Sequence, residues 1–192
     1  MEILKQRILK EGRVLPGDIL KIDSFLNHQI DTALMSEIGR EFARRFAGET
    51  VTRILTVEAS GIAAALTTAQ QFGSCPVVFA KKGGAANMSA EVYHAPLHSY
   101  TRNRDLEIFV SRQYLSESDR VLIIDDFLAN GQALKALTEI IRQAGSTLVG
   151  CGVVVEKAYQ PGGQMLRDQG IRVESLARIA AMDPETGITF SE

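Results

Sequence analysis

The chain has 192 residues, with 21 basic and 23 acidic side chains, a formal net charge of −2 and 45% hydrophobic content. A charge so near balance gives no bulk attraction for nucleic acid or anionic lipid, so any phosphate has to be bound by local groups. Cys75 and Cys151 are the only cysteines and have no paired spacing, which argues against a disulfide framework or a zinc site and fits a reducing, cytoplasmic setting.

The opening MEILKQRILKEGRVL alternates charged with apolar residues and has no continuous hydrophobic stretch. It reads as an amphipathic helix, not as a signal peptide or membrane span. Val14-Leu15-Pro16-Gly17-Asp18 is a turn, and LKIDSFLNHQID (20–31) has no clean period, so a loop or lid is expected there. Ile38, Phe42 and Phe46 set the face of a helix closed by Gly48. Ile54 to Val57 is a strand ending at Glu58, and Glu58-Ala59-Ser60-Gly61 turns the chain into a helix over 62–72. Pro76 to Ala80 is a strand, followed by a basic, glycine-containing loop from Lys81-Lys82 to Asn87. His94 and His98 are separated by Pro96, which disfavours the regular helix that a zinc pair at that spacing needs. Leu106–Val110, Val121–Ile124, Leu148–Val155 and Val173–Ile179 are further strands. Strand and helix alternate, so the expected fold is α/β: one domain with a doubly wound, mostly parallel sheet, flanking helices and an antiparallel hairpin around 90–112.

The densest signal is VLIIDDFLANGQALKAL (121–137). Its apolar β-branched run suits a strand buried on both faces. Asp125 and Asp126 then fall at the carboxyl end, where open α/β sheets bind ligands. Asn130-Gly131 permits a tight turn, and Ala133, Leu134, Ala136, Leu137, Ile140 and Ile141 recur at helical spacing. A turn entering a helix leaves unpaired N–H groups backed by the helix dipole, a seat for phosphate. Carboxylates beside such a seat repel phosphate unless they serve hydroxyls or a metal ion, so a sugar phosphate is implied. The plainer alternative is an acidic pair that only complements the helix dipole. No G-x-x-x-x-G-K-[ST] motif occurs, and Gly150-Cys151-Gly152 lies inside a strand-like run, which disfavours the P-loop and Rossmann readings.

IIDDFLANGQA (123–133) resembles the phosphoribosyl diphosphate (PRPP) motif of type I phosphoribosyltransferases, and Glu58-Ala59-Ser60-Gly61-Ile62 falls where that family binds pyrophosphate. LKIDSFLNHQID, VVVEK and RVESLARI are similar to bacterial xanthine phosphoribosyltransferases, so the resemblance spans almost the whole chain. In place of the hydroxyl-bearing loop of many members, the chain has Ala129-Asn130-Gly131-Gln132-Ala133, which moves phosphate binding onto backbone N–H groups and the Asn130 and Gln132 side chains. The resemblance implies transfer of ribose 5-phosphate from PRPP to a purine, here xanthine. Asp125 and Asp126 would hold the ribose hydroxyls, residues 129–133 the 5-phosphate, and Glu58, Ala59, Ser60, Gly61, Lys81 and Lys82 the pyrophosphate. It implies Mg²⁺ held mainly by PRPP and water without direct protein ligands, a flexible hood over 81–112, and a base-covering lid from 1–35 and 155–192. In that lid Leu20 would cover the purine ring, Asn27 would donate to its carbon-2 oxygen and Lys157 to its carbon-6 oxygen, with Glu156 orienting or neutralising Lys157. A homodimer is expected, with no nucleic-acid or membrane partner. The alternatives are a PRPP-sensing purine regulator, or a transferase preferring guanine or hypoxanthine.

Overall fold

The computed structural model describes residues 1–83, 91–99 and 104–191. Helix α1 (Glu2–Glu11) leads into a hairpin of β1 (Arg13–Leu15) and β2 (Ile19–Lys21) and then a π-helical turn, Asp23–Asn27. The stretch expected as a loop or lid is thus ordered, with Phe25 and Leu26 buried. Helix α2 (Thr32–Arg45) starts at Asp31, whose Oδ1 accepts from the amides of Ala33 and Leu34 at 3.0 Å each. Such a cap satisfies donors that the first turn otherwise leaves unpaired.

Among the described residues the main sheet has eight strands: β3 (Arg53–Val57), β4 (Val77–Gly83), β5 (Val92–Ser99), β6 (Arg104–Ser111), β7 (Arg120–Leu128), β8 (Thr147–Lys157), β9 (Val173–Asp183) and β10 (Gly187–Phe190). Their order is β10-β9-β8-β7-β3-β4-β6-β5. The central five, β9, β8, β7, β3 and β4, are parallel, and the outer pairings are antiparallel. Helix α3 (Gly61–Gln71) packs with α2 on one face, and α4 (Gln132–Ala144) packs on the other. Strand glycines permit this approach: a Cβ on Gly152 would lie 2.8 Å from the Phe42 ring, and one on Gly150 2.8 Å from Phe46. Burying each of those phenylalanines contributes roughly 1.5–3 kcal/mol.

Several strands run beyond their apolar cores. β7 continues through Asp125 and Asp126 to Leu128, and β4 continues through Lys81 and Lys82, pairing them with Phe109 and Ile108 of β6. The expected loop therefore begins later than Lys81, because ladder bonds to β6 hold the lysines extended. Residues 84–90 and 100–103 of the expected hood lie outside the described residues. Its two strands are built into the core: Tyr93, Ala95 and Leu97 are buried, and the Gln143 side chain of α4 bonds both the amide and the carbonyl of His94, at 3.2 and 2.8 Å. Helix α5 (Gly162–Asp168) and β10 have no counterpart in the sequence reading. The ends of the chain meet: the Met1 amino group donates to the Leu176 carbonyl at 2.5 Å, and Lys5 lies 5.4 Å from the Phe190 ring centre.

Candidate active site at the switch point of the sheet

Adjacent parallel strands β3 and β7 send their chains to opposite faces, β3 into α3 and β7 into α4. The order of the parallel strands reverses at this point, which opens a crevice beyond their carboxyl ends. Both turns named from the sequence lie there. Neither helix has a side-chain cap: α3 begins after Ser60, and α4 after Gly131 at φ +76°. Each start therefore presents backbone N–H groups, backed by a helix dipole, to the crevice.

The two carboxylates sit in unlike surroundings. Asp125 is 3% exposed, and burial followed by the charge of Asp126 pushes its carboxyl well above the usual carboxylate range. A hydrogen bond from the Asp126 amide to its Oδ1, 3.1 Å, and the charge of Lys82 oppose that rise. Asp126 is half-buried and its Oδ2 accepts from Asn27 Nδ2 at 2.6 Å. Gly61 makes room for Asp125 and Thr56: a Cβ there would lie 2.2 Å from Thr56 Oγ1 and 3.0 Å from Asp125 Oδ1. Thr56 Oγ1 is buried and has no hydrogen-bond partner among the described residues. Beside Asp125, burial and then the Asp125 charge raise the Cys151 thiol to about 12, so it is an inert core group.

The lysines separate. Strand alternation aims Lys82 toward Asp125, with its amide donating to Glu58 Oε1 at 2.8 Å, whereas Lys81 lines a groove of 530 Å³ on the opposite face with Phe79, Phe109 and Tyr114. Glu58 thereby ties the first turn to the end of β4, and the Glu58–Ala59 peptide is cis.

Leu20, expected to cover the purine from a lid, is buried in the core against the end of α1. Lys157, at the end of β8, donates to the Asp18 carbonyl; burial lowers its pKa, and Asp18 opposes that effect. The expected Glu156–Lys157 partnership is absent. Successive strand residues face opposite ways, and Glu156, 1% exposed, bonds Arg167 at 2.7 and 2.8 Å and Arg178 at 3.3 Å. Burial alone would raise the Glu156 carboxyl, but the arginines outweigh it and hold it below its ordinary value.

The sequence reading missed Pro161-Gly162-Gly163 and Arg167. The Gly162 amide donates to the Ala129 carbonyl at 3.1 Å, and a Cβ on Gly162 would lie 2.4 Å from the Gly131 nitrogen. The available signal was a proline followed by two glycines just after a strand, which marks a turn needing close backbone approach.

A phosphoribosyl transferase domain model matches residues 23–173, which takes in both turns and Asn27. The chain belongs to the phosphoribosyl transferase family. Over 190 residues, 99% of this chain and 95% of the relative, it is 53% identical to a xanthine phosphoribosyltransferase of Bacillus cereus. It is 56% identical over 182 residues to a xanthine phosphoribosyltransferase of Moorella thermoacetica, covering 95% and 92% of the two chains. Among solved structures, adenine phosphoribosyltransferase of Trypanosoma brucei in complex with AMP, pyrophosphate and ribose-5-phosphate aligns with TM-score 0.74 at 18% identity, covering 91% of this chain and 79% of that one. The Rhodothermus marinus adenine phosphoribosyltransferase aligns with TM-score 0.73 at 19% identity, covering 93% and 99%. At such identities these likenesses concern the phosphoribosyltransferase fold alone. No described helix is long and apolar enough to cross a membrane.

Proposed function

We propose that this protein transfers ribose 5-phosphate from PRPP to xanthine, releasing pyrophosphate in purine salvage, and that it works as a Mg²⁺-dependent homodimer. The observation that carries the reading is the meeting, in one crevice, of two uncapped helix starts and two carboxylates of unlike burial. A sugar with phosphate at both ends needs two anion seats, and the hydroxyls between them need charged acceptors. Xanthine, as the purine, rests on the names of the relatives from B. cereus and M. thermoacetica.

In this scheme the amides of residues 131–133, with Asn130 and Gln132, seat the 5-phosphate, while Asp125 and Asp126 accept from the ribose hydroxyls. The turn Glu58-Ala59-Ser60-Gly61 and Lys82 face the pyrophosphate. The bond to pyrophosphate breaks early and leaves an oxocarbenium-like sugar, so the protein has to stabilise charge on the leaving group and hold the purine close. The all-oxygen donor set of Asp125 and Asp126 suits a hard cation. Such an ion would be carried mainly by the oxygens of PRPP and by water, with the two carboxylates beside it. A Mg²⁺ ion held beside Asp125 and Asp126 would supply positive charge to offset the negative charge developing on the departing pyrophosphate.

When a ribose hydroxyl takes Asp126, the Asn27 amide is released toward the carbon-2 oxygen of the purine. Lys157 donates to the carbon-6 oxygen. Asn27 is exposed in the empty site, so the cost arises only once the purine covers it: hypoxanthine lacks the second oxygen, and a covered donor left unpaired costs about 1–3 kcal/mol, so xanthine is favoured by roughly 10- to 100-fold. Catalytic efficiencies for xanthine, guanine and hypoxanthine, measured in the parent, Asn27→Ala and Lys157→Ala proteins, test this. A parent that prefers hypoxanthine, or an Asn27→Ala variant with unchanged selectivity, overturns the assignment.

A further inference from the structure

Glu156 is a charge that the scheme above does not use. It is 1% exposed at the end of β8, directly across from Leu128, the last residue of β7 before the loop at 129–131. Its Oε1 and Oε2 accept from Nη1 and Nη2 of Arg167, in the last turn of α5, at 2.7 and 2.8 Å. A two-pronged, charge-assisted contact of this kind fixes orientation as well as distance. The first turn of α5 sits against the same carboxylate, since a Cβ on Gly163 would lie 2.1 Å from Glu156 Oε1. Its neighbour Gly162 faces the other way, onto the loop. Besides its hydrogen bond to the Ala129 carbonyl, a Cβ on Gly162 would lie 2.3 Å from that oxygen and 2.6 Å from the Asn130 carbonyl carbon. From the other side, a Cβ on Gly131 would lie 3.0 Å from Gly162 Cα.

The two glycines are therefore a spacer one backbone thick, with the loop on one side and a buried ion pair on the other. Helix α5 has seven residues and opens with two glycines, so helix propensity does little to hold it in place. Its position has to come from tertiary anchors, and the Arg167 fork is the charged one.

We propose that the Glu156–Arg167 pair is a positioning device for the 5-phosphate loop, acting through the Gly162-Gly163 spacer. Arg167 is a positioning residue: its guanidinium touches Glu156 and the Val173 carbonyl, the latter at 3.4 Å. When the fork is lost, α5 tilts away, the loop loses its rear wall, and the amides at 131–133 no longer converge on one phosphate. The kinetic part of this proposal rests on the PRPP reading of the site, but the mechanical part does not.

Two readouts separate the two. In the unliganded protein, amide hydrogen exchange at 129–133 accelerates at least tenfold in Arg167→Met and in Gly162→Ala, while exchange in β3 and α3 stays at the parent rate. In turnover assays with PRPP and xanthine, both variants raise the KM for PRPP about tenfold with kcat and the KM for xanthine within twofold of the parent. Arg167→Lys, which restores charge without the fork, falls between them. Gly162→Ala leaves the ion pair intact and displaces the loop directly, so it tests the spacer, and Arg167→Lys, which keeps the charge but not the fork, tests the pair where Arg167→Met does not fold. Unchanged exchange at 129–133 in a folded variant overturns the brace, as does a variant that shifts both KM values equally. A parent that makes no pyrophosphate from PRPP sinks the functional reading instead and leaves the exchange result to stand on its own.

Discussion

At the scale of single residues, the site depends on two adjacent aspartates being treated differently. Asp125 is nearly sealed beneath the start of α3, and Asp126 keeps an oxygen within reach of Asn27. A carboxyl whose folded pKa lies above its unfolded value makes no difference below about 3.8, where both states are protonated; as pH rises through the folded value, a penalty develops and persists. Asp125→Asn is therefore expected to raise the melting temperature at pH 7, with the gain fading as pH approaches 3.8, while PRPP use falls on the order of 10²-fold for want of a charged acceptor. Paired melting curves and PRPP kinetics check both halves. A variant that is less stable than the parent at pH 7, or one with normal turnover, contradicts the role given to this carboxylate.

At the scale of elements, α2 is fastened to the sheet by a carboxylate that serves two arginines. Glu41 accepts from Arg44 and from Arg45 at 2.9 Å, and Arg45 reaches the Ser175 carbonyl of β9 at 2.9 Å. The Arg44 hydrogen bond, with the pull of Arg45 against the cost of burial, lowers the Glu41 carboxyl from 4.5 to about 2. A depressed carboxyl contributes stability that is present above its unfolded pKa and is lost as pH falls through the folded one. Because the side chain is 19% exposed, solvent screening reduces the contribution to about 1–2 kcal/mol. Glu41→Gln is expected to destabilise by that amount at pH 7, with the gap to the parent closing between pH 4.5 and about 2. Denaturant midpoints at pH 7, 4.5 and 2.5 measure it, and a gap constant across that range rejects this account.

At the scale of the whole molecule, one layer of the core draws on both ends of the chain: Leu4 and Ile8 of α1 share it with Leu176, Ala177 and Ile179 of β9. The described parts of the two segments expected to form a lid, 1–35 and 155–191, are therefore packed together, and Lys157 meets Asp18 across them. The proposed homodimer belongs to this scale. Light scattering at micromolar concentration is expected to give twice the mass of the chain, and a monomer at every concentration removes the dimer from the scheme.

The order strand, acidic pair, turn, helix was legible in residues 121–137 because buried runs, tight turns and helical periods are short-range patterns. The parallel, doubly wound arrangement followed from the same alternation, and the helix faces Ile38–Phe42 and Leu134–Ile141 were read where they lie. Strand ends were less legible: β7 and β4 run on through charged residues, because a neighbouring ladder, not the side chain, decides whether a residue stays extended. Once β4 includes Lys81 and Lys82, alternation alone sends one to the crevice and the other to the far groove. Only tertiary structure decided that Asp125 is buried while Asp126 is half-buried, that Glu156 serves Arg167 and Arg178 rather than Lys157, and that Gly162 stands behind the loop at 129–131. Local sequence sets which way a side chain leaves its own strand or helix. What it meets there depends on segments 11 to 99 residues away, as with Arg167 on Glu156 and Asn27 on Asp126, and is fixed only when the sheet closes.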